Sequence, residues 1–178
     1  MQRCVALLRG IGPGNPKMRN ENLRRVCEDL GMRSVGTVIS SGNVVFETDA
    51  EDLSGLETRL EQAWPEELGF ESTTIIRARS DLEALTDLEP FGGLDHGRDT
   101  YLLVTFSKTR LTIDIDLPVE PEDGGYRVVG ATDRELFTVT DTTRRRTPDV
   151  MQWIERRFGK EITSRTWLTV ARVLKKMG

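Results

Sequence analysis

Histidine and cysteine are scarce in this chain of 178 residues, which holds one histidine, His96, and two cysteines, Cys4 and Cys27. No pair of them has zinc-ligand spacing, which removes the usual Cys/His metal sites. A nucleophilic serine would have to rely on His96, which lies in an acidic, glycine-flanked loop, and Ser41 lacks the GxSxG setting of a nucleophile elbow. Aromatic residues make up 6% of the chain, and the predicted first strand has none while the third has only Phe46. An RNA-reading sheet wants stacking platforms on its central strands, so this composition argues against one. The longest apolar run, Val5 to Leu8, is far too short to span a bilayer, and no basic start leads into a cleavable apolar leader. The expectation is a cytoplasmic protein with no membrane partner. Both cysteines fall on apolar faces, where a thiol packs as a small hydrophobe, and they read as buried free thiols rather than a disulfide.

What is present is an ordinary globular composition. With 37% hydrophobic and 30% charged residues, the chain can bury one core or two small ones without cross-links. The net charge of -4 is the sum of a basic start, an acidic middle and a basic end. If the two ends fold together they offer a positive surface to an anion; if the signs neutralise across the fold they do not. Asp114, Asp116, Glu120, Glu122 and Asp123 lack the central glycine and twelve-residue frame of a calcium loop, so no metal site is expected. Arg144 to Arg146 reads as a wetted basic run.

Hydrophobic periodicity orders the first half. Gln2 to Leu8 is a central strand. Leu23, Val26, Cys27 and Leu30 form a helical stripe with Asn20 as N-cap and Gly31 as stop. Val35 to Ile39 and Val44 to Thr48 flank a Ser40–Asn43 turn. Asp49 caps a second helix striped by Leu53, Leu56, Leu60, Ala63 and Trp64 and broken at Pro65, and Ser72 to Arg77 closes the unit as a strand. This is a β-α-β-β-α-β order, the signature of a ferredoxin-like half, antiparallel with helices on one face. In the second half, Asp81 to Leu88 reads as a short helix, Pro90 to Arg98 as a loop, Tyr101 to Phe106 as a buried strand and Leu111 to Gly125 as an acidic loop. Tyr126 to Val129 and Glu135 to Thr140 make a hairpin. Thr147 and Pro148 open a helix facing inward with Val150, Trp153, Ile154 and Phe158, and Thr166 opens a last one carrying Trp167, Val170, Ala171, Leu174 and Met177. The predicted fold is α+β, with a ferredoxin-like half over 1–79 and an α+β half over 80–178 ending in two helices. No clear repeat is visible, and the second half imitates the first only loosely.

The run Arg9-Gly-Ile-Gly-Pro-Gly-Asn-Pro-Lys17 is the most suggestive stretch. Glycines let backbone amides approach an anion, a helix start follows, and Arg9 and Lys17 supply charge. Its spacing fits neither GxxxxGK[ST] nor GxGxxG, so it names no nucleotide and no cofactor. The competing reading is a stiff strand-to-helix turn with Arg9 in a structural pair. In a ferredoxin-like half this loop and the Ser40–Asn43 turn lie at the same sheet edge and should meet. Ser41 and Asn43 read first as turn residues bonding their own backbone, and second as ligand contacts.

Leu7-Leu-Arg-Gly-Ile11, Lys17-Met18, Ser41-Gly-Asn-Val-Val-Phe46 and Thr163-Ser-Arg-Thr-Trp-Leu-Thr-Val170 together resemble domain-of-unknown-function family 1697, small bacterial proteins with no established activity. The resemblance covers nearly the whole chain and implies two ferredoxin-like halves. It marks Arg9, Lys17, Ser41, Asn43, Arg165 and Trp167 as the positions to watch, and the loop itself adds Gly10 and Gly12 as candidate ligand contacts. Gly12 and Thr166 stand where the family usually or often has asparagine, so any amide contact there is altered in this member. Three readings stay open: a binding module for a small anionic or phosphorylated ligand at Arg9–Met18, an enzyme of unknown reaction using Lys17 or Ser41 in the same pocket, and an RNA or protein adaptor using the basic termini. Either a monomer or a homodimer suits them.

Overall fold

The computed structural model describes residues 1–120, 125–143 and 150–178. Among them, two four-stranded antiparallel sheets alternate with five α-helices: β1 Gln2–Leu8, α1 Asn20–Asp29, β2 Arg33–Thr37, β3 Asn43–Thr48, α2 Leu53–Ala63, β4 Thr74–Ala78, α3 Arg79–Asp87, β5 Thr100–Ser107, β6 Tyr126–Ala131, β7 Glu135–Asp141, α4 Val150–Phe158, β8 Ile162–Thr166 and α5 Trp167–Met177. The chain divides into two compact units, Met1–Ala84 with Ala171–Gly178, and Leu85–Val170. The last turns of α5 thus return to the first unit, unlike a division at 79/80.

The first sheet runs β2-β3-β1-β4, the order of a ferredoxin-like half. Alternation along its strands gives it two apolar faces. Cys4, Ala6, Leu8, Val44, Phe46 and Ile76 lie on one, packed with Leu23, Val26 and Cys27 of α1 and Leu56, Leu60 and Trp64 of α2. Val5, Leu7, Val45 and Ile75 alternate to the other and are also buried. Three local expectations are corrected. Asn20 is the first helical residue rather than the cap, the cap position belonging to Arg19 without a side-chain bond. Asp52, not Asp49, caps α2 through Gly55 N at 2.9 Å, because the helix begins at Leu53, three residues later than a cap at Asp49 would start it; Asp49 pairs instead with the Met1 amino group and Arg33. Pro65 does not break the helix: it sits at the start of a π-type turn, Trp64–Leu68, where its missing N–H costs nothing, and the helical run ends at Gly69 with φ +71°.

The outer edge of β4 is covered by the helix beside it. Glu61 accepts from Thr74 N at 2.9 Å and Glu57, itself 2% exposed, accepts from Ile76 N at 2.7 Å. Carboxylates four residues apart on a helix face thus meet amides two apart on a strand, leaving those N–H groups unavailable to a further strand.

The second sheet runs β6-β7-β5-β8, the same order. Strand β8 was absent from the sequence-based expectation, and it separates the two closing helices. No helix stands between β5 and β6 among the described residues, where the first unit has α1; an extended stretch replaces it and bridges to β6 at Val119, paired with Val128. On one face Tyr126, Val128, Leu136 and Ile162 pack with Val150 and Ile154 of α4. The predicted stripe of α5 shifts: Val170, Val173 and Met177 are buried and Ala171 is exposed. Thr166 does act as its cap, accepting from Thr169 N at 3.2 Å. The expected start at Thr147 and Pro148, and Arg144–Arg146, lie outside the described residues.

The register reveals a repeat that the sequence scan missed. Val5 stands opposite Val45 and Arg77, and Val104 stands opposite Phe137 and Arg165. Both hairpins carry a one-residue bulge, between Arg33 and Gly36 and between Val128 and Gly130. Arg33-Ser-Val-Gly-Thr37 and Arg127-Val-Val-Gly-Ala131 are therefore the same strand twice, with Gly36 opposite Val45 and Gly130 opposite Phe137.

Candidate functional site

The loop after β1 and the turn before β3 meet. Leu8 N donates to Gly42 O at 2.8 Å, and Ile11 lies so close over the turn that a Cβ on Gly42 would stand 2.7 Å from Ile11 Cγ1. With φ +74° as well, position 42 admits only glycine in this arrangement. Asn43 is buried, its Nδ2 donating to Val38 O and to Ser41 Oγ at 3.0 Å each. Its amide closes the turn, which is the structural role. Ser41 Oγ is engaged by that amide rather than by a base, so nothing in the geometry activates it as a nucleophile.

On the loop side, Arg9 N donates to Thr73 O at 2.9 Å and Arg9 O accepts from Ser72 Oγ at 2.8 Å, so the backbone at Arg9 is fixed while its side chain is half-buried. Gly10 takes φ +71° and turns the chain outward. Gly12 N has only the Met18 sulfur, at 3.5 Å. The amides of Gly10, Ile11 and Gly14 have no hydrogen-bond partner among the described residues, and Cβ atoms at Gly10, Gly12 or Gly14 would meet nothing within 4 Å. Asn15 accepts from Lys17 N at 3.0 Å and opens a single 3-10 turn, Pro16–Met18, whose carbonyls at Pro16 and Lys17 accept from Asn22 of α1. Asn20 Nδ2 reaches Ile39 O at 3.3 Å, tying the start of α1 to the turn.

Lys17 is exposed, but its ammonium would lie 3.0 Å from a Cβ at Gly69. It therefore sits at the C-terminal end of the α2 helical run, where a cation complements the helix dipole. Sequence reading had no signal for this: residues 17 and 69 are joined only by the packing of α1 beside α2. Arg19, exposed at the cap position of α1, is a cation of this edge that the sequence reading passed over.

Arg165 and Trp167 belong to the second unit. Arg165 is 8% exposed on β8, its Nη1 donating to Thr163 Oγ1 at 2.7 Å and Ser164 O at 2.8 Å, and burial pushes its guanidinium down to about 10. Arg77 occupies the same register position on β4, is also buried, and donates to the preceding carbonyl in the same way, at 3.0 Å. A feature shared by both units at one register position reads as scaffold. Trp167 opens α5 and lies edge-on to Phe91, centroids 5.4 Å apart.

The remaining chemistry is quiet. Cys4 and Cys27 are free and buried, and burial, aided by Asp81 and Glu28 respectively, pushes their thiols up to about 11 and about 12. His96 Nδ1 accepts from Leu102 N at 3.1 Å while its ring stacks on Tyr101, a structural duty. Among the described residues no group of three or more His, Cys, Asp or Glu side chains could hold a metal ion, and no helix is long and apolar enough to cross a membrane.

No curated protein matches the chain. A solved structure, a conserved bacterial protein of Streptococcus pneumoniae, is similar over 99% of this chain and 98% of its own, with a TM-score of 0.71 and 22% identity, which fixes the likeness as one of fold. A family model described as protein of unknown function (DUF1697) matches residues 1–137. That span holds both N-terminal motifs and the whole first sheet, and the chain belongs to this family.

Proposed function

We propose that the protein is a binding module for a small anionic or phosphorylated ligand, taken up where the Arg9–Met18 loop faces the Ser40–Asn43 turn. The observation that carries this reading is the set of amides at Gly10, Ile11 and Gly14 that have no hydrogen-bond partner among the described residues. Backbone donors without acceptors attract an anion, and the cations Arg9 and Arg19 on the same edge favour its approach. Lys17 contributes less than its sequence position suggests, because its ammonium already lies at the end of the α2 run.

A thermal-shift panel of nucleotides, sugar phosphates and inorganic phosphate tests it. Stabilisation by at least one phosphorylated compound is expected, weakened strongly in Arg9→Ala and slightly in Lys17→Ala. No shift with any anion would remove the reading.

A further inference from the structure

Strand register sets Arg3 of β1 directly opposite Glu47 of β3, and Val45, two residues earlier, shares their face of the sheet. The same register in the second unit pairs Leu102 with Val139, so a charged pair at this place is not a demand of the fold. Arg3 Nε donates to Glu47 Oε1 at 3.2 Å and Ser34 Oγ donates to Glu47 Oε2 at 3.0 Å. Ser34 reaches the carboxylate from the bulge of β2, with φ +52°. The Ser34 hydroxyl first, and Arg3 after it, hold the Glu47 carboxyl below its ordinary range, so it is an anion at neutral pH.

The last turn of α5, part of the same unit, lies against this face. Arg3 Nη1 donates to the Met177 and Gly178 carbonyls. The stem of Lys176 crosses Gly36 of β2, where a Cβ would stand 3.1 Å from Lys176 Cε, so the glycine seats the lysine. Arg3, Ser34, Val45, Glu47, Lys176 and Met177 together line a partly open cavity of about 300 Å³, the small end of the range of about 300–1,000 Å³ for small-molecule sites. Val45 and Met177 are buried and give it an apolar wall. The Lys176 ammonium and the Nη2 group of Arg3 have no hydrogen-bond partner among the described residues. Lys176 and Glu47 therefore line one cavity with opposite charges that are not paired with each other.

We infer that this cavity is a binding site for a free α-amino acid with an aliphatic side chain. A simple anion brought to Lys176 would stand against Glu47, and a simple amine brought to Glu47 would stand against Lys176 and Arg3. A zwitterion meets both, and an α-amino acid carries the two charges on one carbon. Its carboxylate takes the Lys176 ammonium and Arg3 Nη2, its ammonium takes the lone pairs of Glu47 that Arg3 and Ser34 leave over, and its side chain packs on Val45 and Met177. The site lies at the opposite end of β1 from the Arg9–Met18 loop, and it stands or falls separately from the anion-binding reading there.

The test is a calorimetric titration of the full chain with L-valine. N-acetyl-L-valine lacks the ammonium and L-valinamide lacks the carboxylate, and each is expected to bind about 10- to 100-fold more weakly than valine, the worth of one charge-assisted contact. Lys176→Met keeps an apolar stem over Gly36; it is expected to weaken valine by a similar factor and not to weaken valinamide. Glu47→Gln is expected to weaken valine likewise and not to weaken N-acetylvaline. Lys175→Met, exposed on the same turn and outside the cavity, is expected to bind valine as wild type. The three ligands probe the unaltered chain, so the inference stays testable even if a variant does not fold. No binding of valine, equal affinity for valine and either blocked form, or wild-type affinity in Lys176→Met each overturns the site.

Discussion

The two units use one set of strand pairings but satisfy their interiors differently. Thr48 and Thr140 hold equivalent positions on β3 and β7. Thr48 Oγ1 accepts from Ala50 N at 3.1 Å, whereas Thr140 Oγ1 is buried with no hydrogen-bond partner among the described residues. Phe46 fills the apolar core where its counterpart Thr138 buries a hydroxyl that likewise has no partner among the described residues. Beside the edge strand, the first unit sets the buried Glu57 carboxylate against Ile76 N, and the second has the Met151 sulfur 2.9 Å from Ser164 Oγ. The first unit is the more completely satisfied in its core and the less satisfied at its loop-and-turn edge. Polar groups left without partners in a well-bonded unit are more informative than the same number in a loosely bonded one.

That contrast can be broken in four ways, in falling order of effect. Both thiols lie in the first unit with pKa values raised by burial to about 11 and about 12. Between about pH 9 and those values the unfolded thiols ionise while the folded ones stay protonated, so stability falls as pH rises, at roughly 1.4 kcal/mol per pKa unit of difference. Urea unfolding followed through Trp64 at pH 8 and pH 10.5 should show the loss, and Cys4→Ala/Cys27→Ala should abolish most of it. An equal loss in that variant would assign it to other groups. Next, Glu57→Ala leaves the Ile76 amide buried and unpartnered and is expected to cost about 1–3 kcal/mol, while Met151→Leu in the second unit costs under about 1.5 kcal/mol. Equal urea midpoints for the two would erase the difference between the edge strands.

Third, Thr140→Val is expected to be neutral or to stabilise by up to about 1 kcal/mol, since it removes a hydroxyl without a partner. Thr48→Val loses a made hydrogen bond worth about 0.5–1.5 kcal/mol. Opposite signs in thermal melts support the contrast, and matching losses sink it. The smallest effect is at the end of α5, whose carbonyls at Met177 and Gly178 accept from Arg3 and Arg79. Arg79→Ala should weaken that end by about 0.3–1 kcal/mol, visible as faster amide exchange in the last turn of α5.

Much of the first unit was legible because its periodicities are clean: the stripe Leu23, Val26, Cys27 sits on α1 as spaced, and the Ser-Gly-Asn turn forms where its residue types put it. What failed had competing chemistry. Asp49 and Asp52 both have a capping side chain, and the start of the helix at Leu53 puts Asp52 at the cap while Asp49 pairs with the Met1 amino group and Arg33. Pro65 looks like a breaker unless the helix widens into a π-type turn there. Strand β8 was hidden because Ile162-Thr-Ser-Arg-Thr166 is polar on both faces and its arginine is buried through bonds to its own strand. The repeat was hidden because what recurs is a bulge and a glycine opposite a bulky residue, not a hydrophobic pattern. At the site, the meeting of loop and turn followed from the fold class. The diversion of Lys17 to Gly69 did not, since it depends on how two helices lie side by side.

The guarded border of the first sheet carries a consequence for assembly. An extended segment of another molecule approaching β4 would find acidic oxygens already seated on the Thr74 and Ile76 amides it needs. Growth of that sheet by adding foreign chain is thereby discouraged on the β4 side.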